Sequence, residues 1–551
     1  MKRLSLKELA GQTFDVLIIG GGITGASAAR EAALRGLSTV LVEKNDFASG
    51  TSSRSTKLIH GGVRYLQSYQ FKLVREACSE RERMLRLAPH LSNVRPFIYA
   101  LYEGYPESMA LLNAGLTVYD LFSGSPLKRR HRMLNAQKLL EVEPHLNPNG
   151  LVGGGWYYDF LTDDARFTLD TLKGAWQAGA LLGNYLEVVG FMQENGRIAG
   201  VELRDSLSGE VGTARARQVI NAAGPWVDRV RFLEKGEQKR MLRPTKGVHI
   251  ALLKRDFPLN HAVFLRSPRD NRVVWPIPAL DEDLVYIGTT DTDYDGSLDA
   301  VTATEQDVAY LLEVANHTIP DAKLGFEHVI GTWAGLRPLV KPAAGEQPEG
   351  EMAASSVSRE HQIFTSPGGL LNIAGGKLTT ARVMGKQVIQ AAIRLLRQNY
   401  GLKGFLPSRS ATVPISGGDP GQILLAQRTA AGLPDLDPAL KERWLRQYGG
   451  NFLRLAEIYK QDPASGSDLG CSHLSLAEVR HAVQEEMACT LTDFFTRRAP
   501  LFYWRRDGGL AAAEPVAAEM GRLLGWDIAE CQRQIQDYRA WVAANRFEAL
   551  K

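Results

Sequence analysis

Three glycines, Gly20, Gly22 and Gly25, stand in the spacing G-x-G-x-x-G, and an acid, Glu43, lies further along. This set can hold a dinucleotide. The first glycine makes a tight turn and the second lets a pyrophosphate approach the backbone. The third lets a helix press on a strand, with the helix N-terminus facing the phosphates. Glu43 is placed to accept hydrogen bonds from both ribose hydroxyls of an adenosine. It would repel a 2′-phosphate, which leaves FAD or NAD. A second stretch, "STKLIHGGVRYLQ" from Ser55 to Gln67, places His60, Gly61, Gly62, Arg64 and Tyr65 inside an otherwise apolar run. Adjacent glycines cost backbone entropy unless something comes close to the main chain.

The elements that position these residues can be read from the pattern. Val16–Ile19 is a continuous aliphatic run, as in a parallel strand buried on both faces. Ala26–Arg35 reads as an alanine-rich helix ended by Gly36, and Ser38–Val42 as a second buried strand that carries Glu43 at its end. A lone G-x-G-x-x-G says little; strand, glycines, helix, strand and terminal acid in one short unit says much more. The residues after Glu43 favour FAD. A simple NAD enzyme would continue into another βα unit. Here comes a loop of small residues, Ala48–Ser53, then Ser55, Thr56, Lys57 and Leu58. Hydroxyls such as Ser52 and Ser53 and free N–H groups suit the phosphates and ribityl chain of a flavin. Gly61 and Gly62 would offer its ring a wall without side chains. "LLNIAGGKLTTARVMGKQVIQ" reads as a strand, a glycine pair, then a helix opening near Lys377–Thr380. Gly376, Lys377, Leu378 and Thr379 could thus aim N–H groups at the electron-rich flavin edge.

The chain has 551 residues, which predicts two or three domains. Hydrophobic residues make up 44% and charged ones 23%, ordinary for a globular protein, and the net charge of +4 argues against a nucleic-acid binder. Cys78, Cys471, Cys489 and Cys531 fit no zinc spacing and no CxxC pair, so no metal site is expected. So few cysteines suggest reduced thiols and a cytoplasmic setting. Neither a signal peptide nor an apolar run long enough to span a bilayer is visible.

From Glu43 through the serine-rich loop to "KLIHGGVRYL", the chain resembles the FAD-dependent glycerol-3-phosphate dehydrogenase family. That family lies within the larger group of D-amino-acid and sarcosine oxidases. "QVINAAGPWVD" (218–228, with Gly224), "LRPTKGVHI" (242–250), "YIGTTDTDYDG" (286–296), "GTWAGLRPL" (331–339), "SREH" (358–361) and "NIAGGKLTTAR" (372–382) continue the likeness in order. The resemblance implies a Rossmann-like FAD-binding domain interleaved with an antiparallel-sheet substrate domain. FAD-binding parts are expected at about 1–95, 165–240 and 335–408, substrate-binding parts at about 95–165 and 240–335, and a C-terminal helical domain at 409–551. It implies oxidation of sn-glycerol 3-phosphate to dihydroxyacetone phosphate. Arg64, Tyr65, Arg337, Arg359 and Lys377 would bind the substrate, and the planar arginine fork suits a phosphate. His249 is the best general base, since imidazole can take the hydroxyl proton near neutrality; Arg337 could assist.

Beyond about Ser408 a Pro/Gly/Ser-rich stretch gives way to helical periodicity, with Ser475 and Glu478 in capping-box spacing. The domain shows no catalytic residues, and oligomer contact, as in a homodimer, and membrane docking are both open for it. No haem motif, iron–sulfur cysteine set or second dinucleotide loop is present, so the electron acceptor is external. Oxidases of the family carry a long insertion for which there is no obvious room between Arg337 and Arg359. That favours a membrane quinone over oxygen, and a peripheral position on the inner face of the cell membrane. The expected contacts are "MKRLSLKEL", "PLKRRHRM" and "RRAPLFYWRR", with Phe502, Tyr503 and Trp504 entering the interface. The rival readings are a soluble oxygen-using glycerol-3-phosphate oxidase, an amine or amino-acid oxidase on the same fold, and a non-catalytic flavin-binding RNA-modification or assembly factor.

Overall fold

The computed structural model describes residues 1–551 apart from 68, 235–238, 281–282, 342–359, 472 and 548–551. Among the described residues two large sheets organise the chain. The first sheet has Thr13–Ile19 at its centre, flanked in parallel by Val211–Asn221 and Thr39–Val42. Leu371–Ala374 and Leu181–Gly183 extend it, again in parallel, and Gln362–Thr365 closes one edge antiparallel. A parallel sheet must be covered on its faces. Ile23–Leu34, Asp164–Gln177 and Ala381–Tyr400 supply the helices, packed through alanines and aliphatic residues such as Ala29, Leu172 and Ile389. The glycine turn joins Thr13–Ile19 to Ile23–Leu34 because Gly25 lets them touch: a Cβ there would lie 1.9 Å from the Gly20 carbonyl oxygen.

The second sheet is mostly antiparallel. Leu242–Leu253 pairs with Val329–Val340 on one side and with Leu284–Gly288 on the other. Val273–Pro278, Ala262–Arg266, Asn93–Tyr102 and Leu151–Leu161 carry it onward to the short strand Leu58–Ile59. Side chains alternate along a strand. The register sets Thr245 opposite Arg337, Gly247 opposite Gly335, and His249 opposite both Trp333 and Gly288. One face of this sheet therefore carries His249 and Arg337 with glycines between them. Val329–Val340 belongs wholly to this sheet, although residue 335 was the expected border of an FAD-binding part.

Helices predominate from Pro420 onward. Ser475 and Glu478 form the expected capping box at Leu476–Glu486. The short helix Leu501–Trp504 packs against the second sheet, where Tyr503 and Trp504 lie edge-on to Trp333 at 5.8 and 5.3 Å. This overturns one sequence expectation. Phe502 and Tyr503 are only 4% and 2% exposed and belong to a core, so they cannot enter a membrane interface. The two arginines before them are buried as well. Arg497 and Arg498 are buried against Asp46, with Arg497 Nε at 2.5 Å and Arg498 Nη2 at 3.0 Å from its oxygens. Arg497 also reaches Asp493 at 2.8 Å, and Arg166 pairs with Glu486 beside Arg498. Arginines flanking aromatic residues look like a lipid-facing segment in sequence, but here distant carboxylates hold Arg497 and Arg498 inside, while Arg505 and Arg506 are exposed. In the N-terminal candidate Met1, Leu4, Leu6 and Leu9 are buried and Arg3 pairs with Asp205 at 2.8 Å, while Lys2 and Lys7 are exposed.

Candidate active site

Two continuous cavities lie between the sheets, about 370 and 590 Å³. Gly375, Gly376, Lys377, Leu378 and Thr51 border both. Gly20, Gly22, Glu43, Ser52 and Gly224 line the first. Its shape comes from the glycine turn. Ser52 accepts the Ile23 N–H at 2.9 Å, and Glu43 accepts the N–H groups of Gly21 at 2.7 Å and Asn45 at 2.9 Å. Glu43 is thereby aimed from the end of the second strand, and burial pushes its carboxyl above the usual range. The donors and the side-chain-free wall fit the phosphates and ribose of a dinucleotide.

The second cavity gathers Leu58, His60, Arg64, Tyr65, His249, Arg337, Lys377 and Thr379. These residues come from four separate stretches of chain. Tyr65 meets two cations, with Lys377 Nζ 3.5 Å from its ring centroid and the Arg64 guanidinium at 5.0 Å. The Arg337 fork is fixed by Asp291 Oδ1 at 2.9 Å and by Thr289 Oγ1 and the Thr290 carbonyl at 3.1 Å. Gly247 makes room for it, since a Cβ there would meet Arg337 Nη2 at 2.5 Å. His249 stacks on Trp333 at 4.8 Å, and its Nε2 lies 3.0 Å from Thr56 Oγ1. Burial, then the charges of Arg337 and Lys57, hold the imidazole well below its ordinary pKa. It is a neutral imidazole, able to accept a proton.

Other expected site residues stand elsewhere. Gly25, Ser53, Lys57, Gly61 and Gly62 line neither cavity. Lys57 is buried and donates to Asp164 at 2.6 Å and to the Ser53 carbonyl at 3.3 Å. Burial opposes its charge, but Asp164 and Asp163 outweigh this and raise its pKa. It pins the loop from behind. The glycine pair has a packing cause. A Cβ on Gly61 would meet Cys78 Sγ at 2.4 Å and Tyr119 Oη at 2.5 Å, while Gly62 has φ +78°. Arg359 lies outside the described residues. Sequence reasoning missed Arg54 and Arg272, which also line the second cavity. Arg272 bonds the Asp291 carbonyl and lies 3.3 Å from Asp270. The only signal for it was an arginine just before a strand, in "RDNRVVW".

Residues 15–391 match the model of the FAD dependent oxidoreductase family, and 408–531 that of the C-terminal domain of alpha-glycerophosphate oxidase. The chain is 37% identical to the aerobic glycerol-3-phosphate dehydrogenase of Staphylococcus saprophyticus over 527 residues, covering 94% of this chain and 92% of that one. It is 35% identical to the alpha-glycerophosphate oxidase of Streptococcus pyogenes serotype M3 over 609 aligned residues, covering 100% and 98%. Its structure is similar to that of the glycerol-3-phosphate dehydrogenase from Bacillus halodurans complexed with FAD. The TM-score is 0.80 at 32% identity, and 98% and 96% of the two chains are covered.

Proposed function

Since the chain belongs to the FAD-dependent glycerol-3-phosphate dehydrogenase and alpha-glycerophosphate oxidase family, with FAD as its cofactor, we propose that it oxidises sn-glycerol 3-phosphate to dihydroxyacetone phosphate. One observation carries the reading. A neutral, buried histidine and the cations Arg54, Arg64, Arg272, Arg337 and Lys377 border one cavity, continuous with the dinucleotide cleft. When bound, FAD supplies the two-electron acceptor for the hydrogen leaving the substrate carbon. The chain does the rest. Arg64 and Lys377, braced on Tyr65, bind the phosphate, and Arg337 holds and polarises the reacting end. His249 takes the hydroxyl proton. An amine or amino-acid substrate would need one cation for its carboxylate, not this surplus.

Anaerobic glycerol 3-phosphate is expected to bleach the bound flavin, whereas sarcosine and D-alanine leave it yellow. A flavin that stays oxidised with glycerol 3-phosphate would sink the reading. The pH dependence tests the base. An ordinary histidine protonates near pH 6.5, so activity relying on it would fall below that. The lowered pKa of His249 moves this loss to more acid solution. The kcat/KM profile of the free enzyme should therefore show no histidine limb near pH 6.5, and a limb there would exclude His249 in this environment.

For the acceptor we favour a membrane quinone, with the protein peripheral on the cytoplasmic face. The alignment with the streptococcal oxidase runs to 609 positions against 551 residues here, so that oxidase has residues with no counterpart in this chain. The alignment with the staphylococcal dehydrogenase needs far less gap. Rapid reduction of a short-chain quinone with slow peroxide formation in air is the expected result. Fast peroxide formation without quinone reduction would make the protein an oxidase.

A further inference from the structure

The helix Met109–Ser123 is apolar on two opposite faces. Leu112, Leu116, Tyr119 and Ser123 point into the protein. Leu111 and Leu121 lie outside, 58% and 73% exposed, with Ala114 and Val118 on the same arc. A helix of this composition is ordinarily buried all round. Its one charged residue, Asp120, is taken by His131, whose Nδ1 lies 2.7 Å away. That bond pins the next segment to the flank of the helix. This segment adds Leu127, 78% exposed, and the exposed cations Lys128, Arg130 and Arg132.

The geometry points to this face, the outer side of Met109–Ser123 with Leu127–Arg132, as the docking surface for an anionic lipid bilayer. Exposed leucines would enter the acyl boundary while the neighbouring cations meet lipid phosphates, and the only nearby acid of the helix is already paired. The proposal rests on the membrane-quinone reading and adds the surface through which it works. Of the three segments expected from sequence, it retains "PLKRRHRM" and adds the helix before it. The position suits the task. On the inner side, Tyr119 Oη accepts the Gly61 N–H at 2.7 Å and donates to Asp159 at 2.7 Å. Gly61 is next in the chain to His60, a residue of the substrate cavity. Docked lipid would lie about one helix diameter, roughly 10 Å, from that wall.

The test is co-sedimentation of the FAD-loaded protein with phosphatidylcholine vesicles, with and without about one third phosphatidylglycerol. The anionic vesicles are expected to bind it. The triple variant Leu111→Glu, Leu121→Glu, Leu127→Glu should lower the partition coefficient at least about tenfold. Lys128→Glu with Arg130→Glu should lower it and flatten its salt dependence. Ile528→Glu, at an equally exposed apolar residue elsewhere (79%), should not change it. Unchanged flavin content and circular dichroism establish that each variant is folded. Equal vesicle binding by the triple variant and the unmodified protein overturns the proposal. So does a shift from dimer to monomer in vesicle-free solution with vesicle binding intact, since the face then belongs to a second copy. Flavin bleaching and reduction of a soluble quinone are read on the same samples. Their presence without vesicle binding refutes the docking surface alone, and their absence alongside binding refutes the catalytic reading alone.

Discussion

Arg337→Ala is expected to keep its FAD and lose about 2–4 kcal/mol of transition-state stabilisation, a fall in kcat/KM of about 30- to 900-fold. Arg337 is a partly buried cation whose fork is fixed by Asp291 and two threonines. On the proposed reading its removal deletes a charge-assisted contact to the substrate, and it leaves Asp291 with less compensation. Arg337→Lys keeps the charge but not the fork, and should fall between the two. A second readout separates a catalytic role from a scaffolding one. The Arg337 charge helps to depress the pKa of His249. Without it that pKa rises, so the acid limb of the kcat/KM profile should move to higher pH in Arg337→Ala. Unchanged kinetics and an unmoved limb would show that Arg337 neither touches substrate nor faces the histidine.

Asp46→Asn should be among the most destabilising single changes in the protein, at about 3–5 kcal/mol, because it leaves Arg498 buried without its carboxylate and Arg497 with Asp493 alone. The substitution preserves volume, so the effect is one of charge. Burial works to raise the Asp46 carboxyl, but Arg498 and Arg497 outweigh it and hold it below the usual range. A group whose pKa is depressed by folding stabilises above its unfolded value, and that stabilisation is lost as pH falls through the folded one. The denaturation midpoints of Asp46→Asn and the unmodified protein should therefore lie far apart at neutral pH and converge in acid. A neutral-pH midpoint within about one degree of the unmodified protein would contradict the assignment.

These two residues also mark what could be read from sequence. The dinucleotide unit was legible because its parts lie close together in the chain: glycine spacing, helix and acid all fall between Thr13 and Glu43. His249 and Arg337 were legible through motif resemblance, and the alternation of Thr245, Gly247 and His249 on one strand explains why they share a face. What failed to show were causes lying far along the chain. Gly61 and Gly62 suggested a flavin wall; Cys78, Tyr119 and the backbone turn are packing causes for them that the sequence does not announce. Phe502 and Tyr503, with Arg497 and Arg498, suggested a membrane edge because nothing near them in sequence announces Trp541, Trp333 or Asp46. Arg54 and Arg272 carry no local pattern that distinguishes them from surface arginines.

The order of strands in the first sheet also has a bearing on how the protein is made. Thr13–Ile19 sits next to Val211–Asn221, which in turn sits next to Leu371–Ala374. A ribosome adding about 5–20 residues per second needs roughly 20–70 s to pass from the first of these strands to the last. Throughout that time the nascent cleft lacks part of its wall, because Gly375 and Gly376 have not emerged. Flavin capture is therefore expected late, after about two-thirds of the chain is synthesised. Messages truncated before that point would yield a chain with a dinucleotide fingerprint and no means of keeping the cofactor.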